Sequence, residues 1–189
     1  YNLAGDWHPG KLFEGVRSLF SIITMSNKEA IQHIIHTTNY TRWATIERPF
    51  LFTNKIHYTA NKENIISESY PKIGDENISC ILKKVSSNQP ILCNMIAGNY
   101  KVYYRNAGIA YYNISLNFIP FFEINGIQST SSTLKSIAIN SKSMVDTIVS
   151  YLNSSTFALI YFCYSDCYHL TNKDLNRIYL SNFDIKLLS

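Results

Sequence analysis

The spacing of apolar and polar positions changes character along the chain. Residues 1–18 scatter Gly5, Pro9, Gly10 and Gly15 among polar side chains and read as loop, with one turn of helix at 11–16. Residues 18–26 (SLFSIITMS) are short, apolar and β-branched, which predicts a buried strand. Ser26 stands as a cap before a helix predicted over 27–36, with Glu29 in its first turn. Residues 37–43 (TTNYTRW) read as a polar turn, and 47–52 as a short helix delayed by Pro49. Residues 57–71 have no period and end in Tyr70-Pro71, so a linker is expected there. A break near 58–72 would separate a small N-terminal piece from the main domain.

From Asp75 onward the signals sharpen. Asp75 caps a helix that carries Ile78, Ile81, Leu82 and Val85 on one face, and residues 86–90 end it. Four strands are predicted at 100–105, 110–116, 118–124 and 133–138, with turns at 106–108 and Asn125-Gly126. Ser141 caps a helix over 142–152. The apolar segment 155–164 is helix or buried strand, and its length favours helix. Residues 165–170 form a loop, and Thr171 caps a short helix over 172–178. The predicted fold class is α+β, a central and mostly antiparallel sheet flanked by helices.

Composition narrows the function classes. With 189 residues, 46% hydrophobic and 14% aromatic, the chain can build a core and is unlike a disordered tail. Seven Gly and no heptad run exclude collagen-like and coiled-coil classes. No apolar stretch reaches about 18 residues, so no membrane partner is expected. The net charge of +4, together with 14 Tyr, suits a polyanion partner. Cys80, Cys93, Cys163 and Cys167 could form two disulfides, and sequons at Asn39, Asn77, Asn113 and Asn153 admit a secreted protein. Reduced thiols in a cytoplasmic protein fit better, because a domain of this size has little need of disulfides.

Candidate chemistry is sparse. The sequence holds no G-x-S-x-G elbow, phosphate-binding loop or dinucleotide fingerprint, and no local carboxylate pair. His33 and His36 would share one face of the predicted helix. Cys163, Cys167 and His169 have spacing that can hold zinc, although Cys163 sits in an apolar run where a thiol packs as a small hydrophobe. No metal, and no catalytic residue, is assigned. Lys101, Tyr103 and Arg105 alternate on one strand, which offers phosphate and base-edge donors beside an aromatic ring. Arg42, Trp43 and Arg48 make a second basic-aromatic group, with core packing as the rival role for Trp43. Residues 165–169 (SDCYH) form a polar loop of the sort that often carries function.

Several stretches stand in a familiar order. The segment Trp7-His8-Pro9-Gly10-Lys11-Leu12-Phe13-Glu14-Gly15-Val16-Arg17 leads into the predicted strand. Thr37-Thr38-Asn39-Tyr40-Thr41-Arg42-Trp43 is followed by Glu47-Arg48. Near the end come Asn153-Ser154-Ser155-Thr156-Phe157 and Ser165-Asp166-Cys167-Tyr168-His169-Leu170. In this order they resemble late segments of the large adenine-N6 DNA methyltransferases of fused restriction-modification enzymes, with His8 where that family has Arg. The resemblance implies a fragment of a larger methyltransferase. Residues 1–60 would be the tail of the catalytic domain, and 61–189 a target-recognition domain like the specificity domain of TaqI-type enzymes.

The family's Asn-Pro-Pro-Tyr motif and its S-adenosylmethionine motif are absent from the sequence. The resemblance therefore implies that this stretch alone is inert, carries no cofactor itself, and belongs to a parent enzyme that uses S-adenosylmethionine. Its expected partners are double-stranded DNA and the catalytic domain of the same parent chain. The residues expected to touch DNA are Lys101, Tyr103, Tyr104, Arg105 and Asn106 around one strand and turn, Arg42 near the catalytic junction, and Lys83, Lys84, Lys135 and Lys142 on phosphates. A protein-interaction domain of a multi-subunit assembly is the alternative, and a small zinc or thiol enzyme the third reading.

Overall fold

Strand β3 (Tyr100–Arg105) carries alternating burial. Val102 and Tyr104 are buried, while Lys101 and Arg105 are exposed. It is the centre of a three-stranded antiparallel sheet in the order β4–β3–β7, with β4 at Ser115–Leu116 and β7 at Leu134–Ile139. Tyr100 pairs with Ile139 and Arg105 with Leu134, so Val102 stands opposite Ile137. The inner face therefore presents Val102, Tyr104, Ile137 and Ile139, all buried. Helix α2 (Lys142–Leu152) packs against all three strands. It buries Val145, Ile148, Tyr151 and Leu152, an i, i+3, i+6, i+7 stripe. The α+β class with a central antiparallel sheet, expected from the sequence, is what the computed structural model shows; it describes residues 22–24, 35–41, 43–61, 69–86, 98–107 and 115–177. The entry into β3 passes very close to the end of β7. A Cβ on Gly98 would lie 2.1 Å from the Ile139 carbonyl oxygen, so only glycine fits.

Helix α3 (Ser155–Tyr164) is apolar on every side and supplies Phe157, Ile160, Tyr161 and Cys163 to the core. The Ser154 hydroxyl accepts the Phe157 N–H at 3.2 Å and closes the first turn. Asn153, in the turn between α2 and α3, binds β4 through both ends of its amide. Its Oδ1 accepts the Ser115 N–H at 2.9 Å and its Nδ2 donates to the Ser115 carbonyl at 2.9 Å. The sequon at Asn153 thus serves the sheet. Helix α4 (Asn172–Leu175) begins in a capping box. The Thr171 N–H and hydroxyl donate to Asp174 Oδ2 at 2.9 and 2.6 Å. Asp174 Oδ1 takes Arg177 Nη1 at 3.2 Å, and the guanidinium, 2% exposed, also donates to the Tyr164 carbonyl and lies 5.0 Å from the Tyr164 ring centre.

Strands β5 (Phe122–Ile124) and β6 (Ile127–Ser129) form a separate hairpin through Asn125-Gly126, with φ of 54° and 78°. Two positive φ values in a two-residue loop make the turn that matches strand twist. The sequence indicated this turn, but the predicted strand 118–124 shrinks to 122–124, because Pro120 lacks an N–H for a ladder. Of the predicted strand 110–116 only Ser115–Leu116 lies in the described region.

The chain divides into two compact units, Tyr1–Lys83 and Lys84–Ser189. The first unit departs most from expectation. Strand β1 (Ile35–Thr38) pairs antiparallel with β2 (Tyr58–Asn61), His36 facing Ala60 and Thr38 facing Tyr58. The end of the predicted helix 27–36 is therefore strand, and part of the predicted linker is its partner. Residues 22–24 have no regular structure, and Ile22 and Ile23 are exposed, contrary to the buried strand predicted there. Between β1 and β2 the chain makes a 3-10 turn at Thr45–Phe50, close to the predicted short helix, and a π turn at Leu51–Lys55. Thr37 ties β1 to the segment ahead of helix α1 (Glu76–Ser86). Its hydroxyl donates to the Ile73 carbonyl at 3.0 Å and accepts the Ile73 N–H at 3.3 Å. Asp75 Oδ1 accepts the Asn77 N–H at the start of α1, as the cap predicted, and Leu82 is buried. No helix among the described residues is long and apolar enough to cross a membrane.

Candidate nucleic-acid interface

Among the described residues, helix α2 covers the inner side of the second unit's sheet, and the outer side carries the basic row. Lys101, Tyr103 and Arg105 project from β3 away from Val102 and Tyr104, the period-2 consequence of a strand. Lys101 stands beside Ala138, Tyr103 between Leu116 and Ser136, and Arg105 beside Leu134. Among the described residues, no carboxylate occupies a register position next to either cation. Lys101, Arg105 and Ser136 are exposed, and Tyr103, Leu116, Leu134 and Ala138 are half-buried. This is a shallow apolar floor with one phenol and two cations about 13 Å apart along the strand. Of the chain's 17 Lys+Arg and 13 Asp+Glu, the second unit holds eight and five, so it carries most of the positive excess.

The other residues expected at the interface separate. Tyr104 is 6% exposed and faces the core, where burial pushes its phenol up from the ordinary value; its ring belongs to packing, a correction to the surface role expected of it. Lys135 stands opposite Tyr104, so its strand position has inner-face parity although the residue is exposed. Lys142 opens α2 in the layer that covers the inner face. These two lysines therefore do not join Lys101 and Arg105 in one row. Asn106 is half-buried and works through its backbone: its N–H donates to the Thr133 carbonyl at 2.9 Å and its carbonyl accepts the Leu170 N–H at 3.1 Å. Lys83 and Lys84 are exposed on α1, where the two units meet in sequence. Arg42 lies outside the described residues. Trp43 is half-buried and Arg48 exposed.

The polar loop 165–170 runs beside the end of β3. Ala107 and His169 form an antiparallel bridge, which the sequence could not reveal because the partners are far apart in the chain. Asp166 organises the loop. Its Oδ1 accepts the N–H groups of Tyr168 and His169 at 2.8 and 2.7 Å, and its Oδ2 lies 2.8 Å from His169 Nδ1. Partial burial pushes the Asp166 carboxyl up, but the bonds from His169 and Tyr168 together outweigh this and hold it below the ordinary value. Cys167 has φ of 59°, a left-handed conformation rare for this residue type, and is fully buried. Its thiol points at the Phe162 and Ser165 carbonyls. Burial pushes the nearby Tyr161 phenol far up; its hydroxyl donates to the His169 carbonyl at 3.1 Å.

Among the described residues no group of three His, Cys, Asp or Glu is placed to hold a metal. Cys163 and Cys167 are both buried, and the exposed His169 turns to Asp166. His36 lies on a strand, which removes the helical face it was expected to share with His33, a residue outside the described region. Compared with family models, curated proteins and solved structures, the chain matches none.

Proposed function

We propose that the second unit binds double-stranded DNA through the outer face of its sheet, as the target-recognition part of an adenine-N6 DNA methyltransferase. The observation that supports binding is the register: among the described residues, Lys101, Tyr103 and Arg105 share one sheet face with no carboxylate at a neighbouring register position, while α2 covers the opposite face. Cations on such a face neutralise phosphates, and arginine can also reach guanine edges. The methyltransferase assignment rests on the sequence resemblance. On that reading the flipped adenine and S-adenosylmethionine are held by motifs that this sequence does not contain. Titration with a mixed-sequence duplex should show binding at about 50 mM salt that weakens steeply toward about 200 mM, because released counterions dominate the affinity. A folded protein with no affinity at the lower salt contradicts the reading.

The hairpin favours a second reading, an interaction module. Phe122, Ile124 and Ile127 share one of its faces, and Phe118, Ile119 and Phe121 precede it, all at least 46% exposed. A cluster of this kind marks many protein-protein contacts. On this reading, Ile124→Lys with Ile127→Lys would abolish association with a partner chain, and charge reversal at Lys101 and Arg105 would leave it intact.

A further inference from the structure

The basic row does not stop at Arg105. Ala107 lies two residues further on, with the same parity as Lys101, Tyr103 and Arg105, and its bridge partner is His169. Opposed residues of an antiparallel bridge send their side chains to the same face. His169 therefore stands at the end of the outer row, about 7 Å beyond the Arg105 position along the strand.

Its ring is held in place. Asp166 Oδ2 lies 2.8 Å from Nδ1, and the Tyr168 ring meets the imidazole edge-on at 4.7 Å between centres. An ionised carboxylate only accepts, so Nδ1 carries a hydrogen and Nε2 is the nitrogen left for a partner. Among the described residues, the charged and titratable groups around it are Asp166 and Tyr168 from its own loop, Tyr161 from α3, the buried Cys167 thiol, and Arg105 along the row from β3. Asp166 is thus a fixed counter-charge on one side of the ring, while the His169 side chain is half exposed.

We infer that His169 is the last contact of the row: Nε2 takes a proton from solvent, keeps it, and its N–H donates a hydrogen bond to a DNA phosphate oxygen, with Asp166 balancing the charge at Nδ1. The proton returns to solvent when DNA leaves. This rests on the reading of the outer face as a DNA-binding surface. Asp166 acts through His169 and is a positioning residue; His169 is the contact.

The test is calorimetry of the whole 189-residue chain with a mixed-sequence duplex of about two helical turns, at neutral pH and about 50 mM salt, in two buffers of different ionisation enthalpy. The wild-type protein should take up protons on binding. His169→Gln should lose that uptake, bind about threefold more weakly and show a salt slope shallower by about one. Its bridge to Ala107 is made by backbone, so the fold is retained. Asp166→Asn should also reduce the uptake, whereas Lys101→Ala and Arg105→Ala should weaken binding and keep it. Unchanged uptake and slope in His169→Gln, with DNA still bound, overturns the inference and leaves the outer-face reading standing. A wild-type chain that binds no duplex sinks that reading, and the role of His169 with it.

Discussion

The two units hold their backbones by different means. In Lys84–Ser189 the short helices and the hairpin are closed by near neighbours, for Ser154 caps α3, Thr171 and Asp174 cap α4, and Asn125-Gly126 folds the hairpin, while the β3–β7 ladder and the Asn153–Ser115 bonds are long-range. In Tyr1–Lys83 the main ladder joins 35–38 to 58–61 across two irregular helical turns, and Thr37 reaches Ile73, 36 residues away. Local closure leaves a mark in the sequence. Long-range closure leaves one only where burial alternates along the strand, as it does in Tyr100–Arg105 and not in Ile35–Thr38.

The largest effect should come from the buried ion pair of the second unit. Asp174→Ala leaves the Arg177 guanidinium buried and opens the α4 capping box, so a loss of about 3–5 kcal/mol is expected in urea unfolding of that unit. A loss under about 1 kcal/mol would break the contrast, since local closure would then not be what stabilises this region. Asn153→Ala should come next, at about 1–3 kcal/mol, because both backbone groups of Ser115 lose their partner; hydrogen exchange at Ser115 reads it directly. In the first unit, Thr37→Val keeps the β-branched shape and removes two bonds to Ile73, with an expected cost of about 1–2 kcal/mol. Were Thr37→Val to cost more than Asp174→Ala, the ranking of the two regions would be reversed.

The smallest effect concerns acid. Asp166 is held below its ordinary value in the folded state, so its contribution is present above about pH 4, the unfolded range, and is lost as pH falls through the lower folded value. The carboxyl is half exposed and screened, so the change should be slight and should fade in high salt. Acid titration of wild type against Asp166→Asn measures it: the two curves should converge below that range.

The same contrast explains what was legible. Tyr100–Arg105, Lys142–Leu152 and Ser155–Tyr164 carry their own signals in alternation, an apolar stripe or a dense apolar run, and form where those signals place them, although the Ser141 hydroxyl meets Ser143 and caps no backbone N–H of α2. His36, Thr37 and Thr38 follow a helix-like stretch, and only their pairing with Tyr58, Thr59 and Ala60 makes them strand. At the candidate site the sequence indicated which residues of β3 share a face. It could not show that Lys135 has the opposite parity, since that depends on the β3–β7 register, or that His169 closes on Ala107.

The account stands on a difference between two faces of one sheet, and exchanging charges on each face measures it. Duplex binding at about 50 mM salt should be abolished by Lys101→Glu with Arg105→Glu, and should be weakened less than about threefold by Lys135→Glu with Lys142→Glu. Equal losses from both pairs, or full binding by the outer-face double variant, would contradict it.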